Sequence, residues 1–337
     1  MQRPLRRLIP REVRRRAAGP VGRYRGARIR RRLAALASSG RPILAGPWLG
    51  EVGFEILYWA PFLRWFASEF HVPPERLAVL SRGGTWSWYA PAAGRYYDVF
   101  DYLPPNVVRQ WHQAHVGEVG EQKQTRLTER ERQLLDRVRA SLPAGTEVLH
   151  PSVMYDLMNP FWWRHLDEEW IHRHAKYQRL ERPGRPAGLD LPERYVAAKF
   201  YFNDCFPATA VNRAFVREEL ARLAERGPVV SLSTGVAIDD HGACPVTTYG
   251  VVDVAGVAAP SQNLLVQSAI VAHADAFVGT YGGFAYLAPF YGVRSVAYYS
   301  DADGFARSHL QMAASAFTAI GAGDLLDVHE IGVRPRV

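Results

Sequence analysis

The residues best suited to hold an anion are Thr280, Tyr281, Gly282 and Gly283, which separate two apolar segments of the chain. A buried strand that enters a glycine turn and then a helix leaves free backbone N–H groups at the positive end of the helix dipole. Glycine also lets a ligand approach the backbone closely. The pattern therefore suits a diphosphate site, and it equally suits a plain strand-to-helix turn in which glycine only relieves strain.

A second group of candidates follows two further predicted strands. Lys199 lies within an apolar segment, Asn203 comes shortly after it, and Arg213 lies at the start of the next helical pattern. Ligands of open α/β sheets bind at the carboxyl ends of the strands, so these cations are placed to meet a phosphate. Lys199 can instead extend its amine to the surface. Ser233 and Thr234 follow the next strand, where they either bind a ribose or base or simply form a turn.

The third candidate region is the glycine-rich turn from Gly46 to Gly53, which precedes the strongly apolar segment Phe54 to Phe70. Glu51 lies in this turn, next to Gly50. A carboxylate in a closed cleft can have its pKa raised toward a value useful for proton transfer. A carboxylate at this position can also stabilise the N-terminus of the following helix through the helix dipole.

The strands and helices predicted around these residues are typical of an α/β protein. Short buried strands alternate with glycine turns and amphipathic helices. We expect strands at 42–45, 77–80, 97–103, 195–201, 229–232, 276–278 and 295–299. We expect helices at 54–70, 118–141, 212–226, 263–273 and 284–291, and an irregular or helical connector over 151–182.

The first forty residues differ from the rest in charge. They hold thirteen arginines and one acidic residue, whereas the remaining 297 residues hold 28 basic and 32 acidic ones. Pro10 and the Gly19-Pro20 pair are expected to break any single long helix. The segment is either a mobile basic leader or a contact for an anionic membrane surface. With Tyr24 as its one aromatic residue it offers little for base stacking, so we expect no nucleic-acid partner.

Length and composition limit the number of domains, the cellular location and the metal sites that can be expected. A chain of 337 residues suits two domains. Two cysteines are too few for a disulfide framework, and no apolar run reaches the length of a membrane span, so a cytoplasmic protein is expected. The histidine pairs His112/His115 and His172/His174 lack a nearby third ligand, and Asp239-Asp240 is not a convincing metal site. We expect no metal and no cofactor.

The order of elements between Gln262 and Asp301 resembles the donor-binding domain of GT-B glycosyltransferases, especially the heptosyltransferase-like family. That family has a helix, "a-D", a strand, a polar glycine turn, a small helix and "G-V-P-(S/T)-V-A". Here the last unit is Gly292 to Ala297, with Arg294 at the place of proline. Tyr281-Gly282-Gly283 stands where the family has Asp-(Ser/Thr)-Gly.

The opening Leu49-Gly50-Glu51, with Pro61 behind it, resembles the strand, Leu-Gly-Asp, helix, Pro opening of the same family. By this resemblance Glu51 is the base that deprotonates the acceptor hydroxyl. Glu55, one helical turn further on, is the substitute candidate. Lys199 would face the donor diphosphate.

The resemblance implies two Rossmann-like domains that face each other across a cleft, with a basic N-terminal arm. The segments would be an arm over 1–40, an acceptor-side domain with connector over 41–182, and a nucleotide-sugar domain over 183–337. The implied reaction moves a sugar from a nucleoside-diphosphate sugar to a hydroxyl of a glycan or lipid-linked acceptor, by direct inversion and without a metal. The basic arm would bring the protein to the inner face of the membrane.

Two other functions stay open. Polysaccharide pyruvyl transferases and nucleotide-sugar 2-epimerases share this sheet, although pyruvyl transferases usually show Arg-His where this chain has Tyr281-Gly282-Gly283. A non-catalytic glycan-binding protein on the same fold is the other alternative, because Trp162-Trp163 offers a surface for stacking on sugars.

Overall fold

The computed structural model describes residues 11–111, 124–163, 165–186, 188–235, 242–243, 250–252, 254, 256–305 and 307–331. Its strands form two separate parallel sheets. The predicted α/β class is therefore confirmed. No helix within these ranges is both long enough and apolar enough to cross a membrane.

The basic N-terminal segment forms one helix, α1 (Arg11–Ser38), with Pro20 inside it. The expectation that Pro20 breaks any long helix is wrong, and the described part of the segment is not a loose leader. Its packing explains this, because tertiary contacts commonly decide whether a helix forms. Leu33 is 1% exposed. Gly26 lies so close to Trp170 that an added Cβ would stand 2.6 Å from the indole ring. Residues 1–10 lie outside the described ranges.

The first sheet contains β1 (Ile43–Ala45), β2 (Leu77–Ser81), β3 (Arg95–Asp98) and β4 (Glu147–Leu149), in the order β3-β2-β1-β4. The helices of this half are α2 (Val52–Phe54), α3 (Ala60–Glu69), α4 (Trp86–Tyr89) and α5 (Glu129–Arg139). Two 3₁₀ turns, Pro74–Arg76 and Val99–Asp101, precede β2 and follow β3. The predicted helix 118–141 is described only from residue 124 onward.

Two elements of this half differ from their prediction. The helix expected over 54–70 contains a π-helical turn, Glu55–Trp59, between α2 and α3. The strand expected over 97–103 begins earlier and ends at Asp98. It ends there because the Asp98 carboxylate accepts the Phe100 backbone N–H at 2.9 Å and starts the 3₁₀ turn.

The connector contains α6 (Pro151–Trp162) and the short α7 (Glu169–His172). The second sheet then contains β5 (Val196–Lys199), β7 (Val229–Ser231), β9 (Val251–Val252), β10 (Ala276–Thr280), β11 (Arg294–Tyr299) and β12 (Leu326–Glu330). Its order is β12-β11-β10-β5-β7-β9. The strands β6 (Tyr201–Phe202) and β8 (Gly242–Ala243) form a small antiparallel pair.

The helices of the second half are α8 (Ala210–Arg226), α9 (Asn263–Ala272), α10 (Gly283–Phe290) and α11 (Arg307–Ala319), with a 3₁₀ turn at Pro260–Gln262. The predicted strands and helices between 210 and 299 are confirmed to within a few residues. The strand β12 and helix α11 come after the last element that the sequence indicated. One continuous apolar core includes Trp59 and Phe62 of the first half and Phe277 and Phe290 of the second.

Candidate functional site

The carboxyl ends of the two sheets meet at a pair of glycines. Gly53 lies in α2, shortly after β1, and Gly283 begins α10, directly after β10. A Cβ on Gly283 would stand 2.6 Å from the Gly53 backbone nitrogen, and a Cβ on Gly53 would stand 3.3 Å from the Gly283 Cα. The two backbones therefore approach each other as closely as only glycine allows.

A second contact joins the end of β2 to the start of α9. The Leu265 backbone N–H donates to the Gly83 carbonyl at 2.8 Å. Gly83 and Gly84 have φ values of 72° and 80°, and a Cβ on Gly84 would stand 2.9 Å from the Ser261 carbonyl oxygen. We call the turns 50–53, 82–85 and 280–283 the inter-sheet junction.

Glu51 lies in this junction, two residues before Gly53. It occupies the N-cap position of α2 with an extended backbone, φ −68° and ψ 150°, and its side chain makes no capping hydrogen bond. The residue is partly exposed. Its carboxylate is therefore near the helix N-terminus, as expected, but does not cap the helix by hydrogen bonding.

Glu55 has a different environment, although it is only four residues away. Its side chain is 0% exposed. It accepts hydrogen bonds from Ser81 Oγ and Tyr89 OH, both at 2.5 Å, from Thr85 Oγ1 at 3.3 Å and from Arg82 Nη1 at 3.0 Å. Burial raises the pKa of the Glu55 carboxyl, and the Arg82 charge opposes this rise. A carboxylate enclosed in this way cannot reach an acceptor hydroxyl, which argues against Glu55 as a substitute base.

Arg82 also lies in the inter-sheet junction, although it was not among the site residues predicted from the sequence. It is 2% exposed and follows β2 directly. Its Nη1 pairs with Glu55, and its Nη2 donates to the Gly50 carbonyl. The carbonyl of Gly50 is thus occupied within the fold. An arginine directly after a buried strand was the available signal, because that is where α/β proteins place functional polar groups.

The Gln124 side chain also holds the turn before Glu51, through hydrogen bonds to its backbone. Leu49 N–H donates to Gln124 Oε1, and Gln124 Nε2 donates to the Pro47 carbonyl, both at 2.9 Å. Gln124 Nε2 also donates to Glu131 Oε1 at 2.6 Å. The backbone of the turn is therefore ordered by an amide that α5 positions.

Glu131 forms a capping box with Thr128 at the start of α5 and lies 3.4 Å from His150 Nε2. Burial raises the pKa of the Glu131 carboxyl, but the neighbouring His150 ring and the hydrogen bonds from Thr128 outweigh burial. Together they hold this pKa at about 2. Glu131 is accordingly ionised at neutral pH.

Lys199 was expected within a strand over 195–201; it is the last residue of β5 and is half-buried. Its Nζ donates to Gln267 Oε1 at 2.5 Å and lies 3.8 Å from the centre of the Phe284 ring. Gln267 Nε2 donates to Asn263 Oδ1 at 2.9 Å, and Thr234 Oγ1 donates to the same oxygen. The amides of α9 therefore join two predicted site residues, Lys199 and Thr234, in one polar chain.

The residues of the glycine turn after β10 are engaged largely in packing. Thr280 Oγ1 donates to the Tyr201 carbonyl at 2.8 Å and accepts the Tyr201 N–H at 3.0 Å. The Tyr281 hydroxyl accepts a hydrogen bond from Tyr286. Gly282 has a φ of 150°, and a Cβ there would stand 2.0 Å from the Tyr201 hydroxyl oxygen. Close packing thus accounts for this glycine, and the interpretation as a plain turn gains support over an anion site.

The other predicted residues lie outside the junction. Asn203 Oδ1 accepts the Phe206 N–H at 2.9 Å and the Cys205 thiol at 3.2 Å, which closes a turn. Arg213 is exposed, with its guanidinium carbon 4.6 Å from the centre of the Phe202 ring. Ser233 is partly exposed at the end of β7. The pairs Asp239-Asp240 and His112/His115 lie outside the described residues.

Within the described ranges, no three His, Cys, Asp or Glu side chains come together as a metal site. A separate pocket of about 840 Å³ lies between α1, the connector and α11, away from these turns. Its lining residues include Arg23, His165, Glu168, Arg173 and Arg307.

No family model matches the chain, and no curated protein matches it either. Among solved structures, glycosyltransferases are its neighbours. The iron-containing dodecameric glycosyltransferase TibC of enterotoxigenic E. coli is 14% identical, with a TM-score of 0.41, and the match covers 77% of this chain and 58% of that one. The chain thus spans less than two thirds of TibC.

Two further neighbours are matched over most of both chains. The ADP-heptose lps heptosyltransferase II of E. coli is 12% identical, with a TM-score of 0.42, over 86% of this chain and 90% of that one. A family 9 glycosyl transferase of Veillonella parvula is 13% identical, with a TM-score of 0.42, over 87% of this chain and 86% of that one. At these values the similarity identifies neither a family nor an activity for this chain.

Proposed function

We propose that this protein transfers a sugar from a nucleoside-diphosphate sugar to a hydroxyl group. The observation that carries the proposal is the place of Glu51. A partly exposed carboxylate of the first half stands at the contact between Gly53 and Gly283, where the carboxyl ends of two parallel sheets meet. Ligands of α/β proteins bind at such ends. In this proposal residues 41–182 and 183–337 are two domains of a GT-B-like enzyme.

The donor belongs to the second half. Lys199 ends β5, and Ser233 and Thr234 follow β7, so an ammonium group and two hydroxyls stand at neighbouring strand ends. The Gln267 amide and the Phe284 ring hold the Lys199 amine at one place. A fixed cation of this kind stabilises the negative charge that develops on a leaving diphosphate.

The acceptor belongs to the first half. Glu51 takes the proton of the acceptor hydroxyl while its oxygen attacks the anomeric carbon of the sugar. The bond from that carbon to the diphosphate oxygen breaks, the nucleoside diphosphate leaves with the bonding electrons, and the anomeric centre is inverted. This chemistry needs no metal or cofactor.

The acceptor is a glycan or lipid-linked molecule at an anionic membrane surface. Helix α1 exposes Arg23, Arg25, Arg28 and Arg31, together with the ring of Tyr24. Arginines and an exposed aromatic ring on one helix suit anionic lipid headgroups. A peripheral place on the inner face of the membrane follows from this proposal.

The test is a transfer assay with a panel of nucleoside-diphosphate sugars, using the wild-type protein and Glu51→Gln. We expect the variant to lose about 10²- to 10⁴-fold in kcat, since that is the usual contribution of a general base. Glu75→Gln is the matched control, because Glu75 is exposed on the 3₁₀ turn before β2 in the same half.

Normal turnover by the Glu51 variant would contradict the role of this carboxylate. If phosphoenolpyruvate stabilises the protein against heat and nucleoside diphosphates do not, the reaction is pyruvyl transfer instead. If none of these compounds stabilises it and no donor is turned over, the protein is a non-catalytic binder.

A further inference from the structure

The backbone on both sides of the Glu51 α-carbon is held by Glu55 and its partner Arg82. The carbonyl that precedes Glu51, that of Gly50, accepts a hydrogen bond from Arg82 Nη2. The carbonyl of Glu51 itself accepts the Glu55 backbone N–H at 3.1 Å. These two bonds orient both peptide planes that flank Glu51, and so they set the direction of its Cα–Cβ bond.

Arg82 can do this because its planar guanidinium serves two acceptors at once. Nη1 lies 3.0 Å from Glu55 Oε2, while Nη2 reaches the Gly50 carbonyl. Lysine, which carries a single nitrogen at the end of a flexible chain, does not reproduce this fork. The side chains of Arg82 and Glu55 are 2% and 0% exposed, so water does not compete for these bonds.

Glu55 is in turn fixed by three hydroxyl groups. Ser81, Thr85 and Tyr89, from the end of β2 and from α4, donate to its Oε1. Its backbone belongs to the π-helical turn, a feature found often at functional sites. A buried ion pair is weak evidence for stability, since apolar residues of the same shape often serve as well. The position of the Arg82–Glu55 pair beside the Glu51 turn therefore points to a role other than stability.

We infer that Arg82 and Glu55 are positioning residues that aim the Glu51 carboxylate at the acceptor hydroxyl. The inference rests on the proposed function, because it takes Glu51 as the base. Neither residue touches substrate. Loss of either bond lets the 50–53 turn relax, and a displacement of about 1 Å in a reacting group can cost about 100-fold in rate.

The experiment compares Arg82→Lys, Glu55→Gln and the double variant Glu55→Gln/Arg82→Met. The double variant removes both charges, so no unpaired buried ion is left to unfold the protein. Arg64→Met is the matched control. Arg64 is also buried in this half and donates to two carbonyls, those of Lys176 and Trp88, but it does not touch the Glu51 turn.

We expect Arg82→Lys and the double variant to lower kcat by about 100-fold and to leave the donor KM nearly unchanged. The acidic limb of the kcat–pH profile should persist in them, because Glu51 is still the base, and it should be absent in Glu51→Gln. Glu55→Gln leaves the Arg82 charge buried without its counter-ion, so we expect it to lower kcat in the same direction as Arg82→Lys and to lower the melting temperature as well. Arg64→Met should lower the melting temperature without changing the shape of the pH profile.

Hydrogen–deuterium exchange provides a readout that does not depend on activity. The Glu55 amide, which donates to Glu51, should exchange faster in both Arg82 variants and at the wild-type rate in Arg64→Met. A folded double variant with wild-type kcat and wild-type exchange would overturn the positioning role, while a loss of activity in Glu51→Gln would still support the proposed function. If the wild-type protein transfers no sugar, the proposed function is wrong. In that case the hydrogen–deuterium exchange of the Glu55 amide still decides whether Arg82 holds the 50–53 turn.

Discussion

Three glutamates of the first half show how strongly environment decides what a carboxylate can do. Glu51 is partly exposed at the junction, Glu55 is enclosed by donors, and Glu131 belongs to a capping box beside His150. Desolvation dominates at Glu55 and raises its pKa, whereas the neighbouring His150 ring and the hydrogen bonds from Thr128 outweigh desolvation at Glu131. Of these three glutamates, Glu51 is the one with a partly exposed side chain, which is why we assign the proton transfer to it.

The pKa of Glu131 leads to a prediction about stability and pH. Its folded-state pKa of about 2 lies below its ordinary value of 4.5. The native state therefore holds the ionised form more firmly than the unfolded state does. The resulting stabilisation is present above about pH 4.5 and is lost as the pH falls toward 2. Its size is on the order of a few kcal/mol.

Glu131→Gln should accordingly have a free energy of unfolding lower by an amount on the order of a few kcal/mol at pH 5, and this deficit should shrink as the pH falls from about 4.5 to 2. Urea unfolding at a series of pH values measures it. The control is Glu129→Gln on the same helix, where an exposed ion pair with Arg132 contributes little. A constant deficit at all pH values would show that the Glu131 charge is not responsible.

At the scale of elements, two glycine turns bring α2 and α10 together. Gly283 packs directly against Val52 and Gly53, at a place where any side chain would overlap them. Steric overlap is thereby avoided, and the N-termini of α2 and α10 come into contact. The turn that looks like an anion site thus also serves as a packing surface between the sheets.

We predict that Gly283→Ala lowers the free energy of unfolding by about 1–3 kcal/mol, because its Cβ would overlap the Gly53 nitrogen and the Val52 side chain. Gly184→Ala is the control. A Cβ on Gly184 meets nothing within 4 Å, so its effect should stay within about 0.5 kcal/mol. Thermal unfolding of the two variants measures this difference, and equal melting temperatures would mean that the junction can shift to admit a methyl group.

At the scale of the whole molecule, charge is divided between α1 and the remainder of the chain. The arginines of the first forty residues outnumber their one acidic residue, while acidic residues predominate afterward. Packing of Leu33 and Gly26 on the body holds α1 in place, so its exposed arginines form a fixed surface rather than a loose tail. Such a surface favours attraction to an anionic membrane without insertion.

Full-length protein should therefore bind vesicles that contain phosphatidylglycerol, and binding should weaken as salt is added. Arg28→Ser/Arg31→Ser should weaken it about 30-fold, at about 1 kcal/mol per arginine. The control Arg217→Ser/Arg226→Ser removes two exposed arginines from α8. Vesicle co-sedimentation measures all three proteins. Equal losses in both double variants would mean that net charge, and not α1, governs binding.

Local patterns in the amino-acid sequence predicted the order of strands, turns and helices. Between Asn263 and Tyr299 the predicted elements agree with the structure to within a few residues, because apolar periodicity and glycine punctuation are local signals. The place of Lys199 in a strand and that of Glu51 before a helix were also predicted, since both positions depend on neighbouring residues alone.

The other features could not be predicted in this way, because they depend on contacts between residues far apart in the chain. The packing of α1 overrides the break expected at Pro20. Arg82 folds back onto Gly50 and Glu55, and burial turns Glu55 from a candidate base into a structural carboxylate. The meeting of Gly53 with Gly283 depends on how two separate sheets dock, which no local pattern encodes. That contact brings Glu51 to the point where both sheets end.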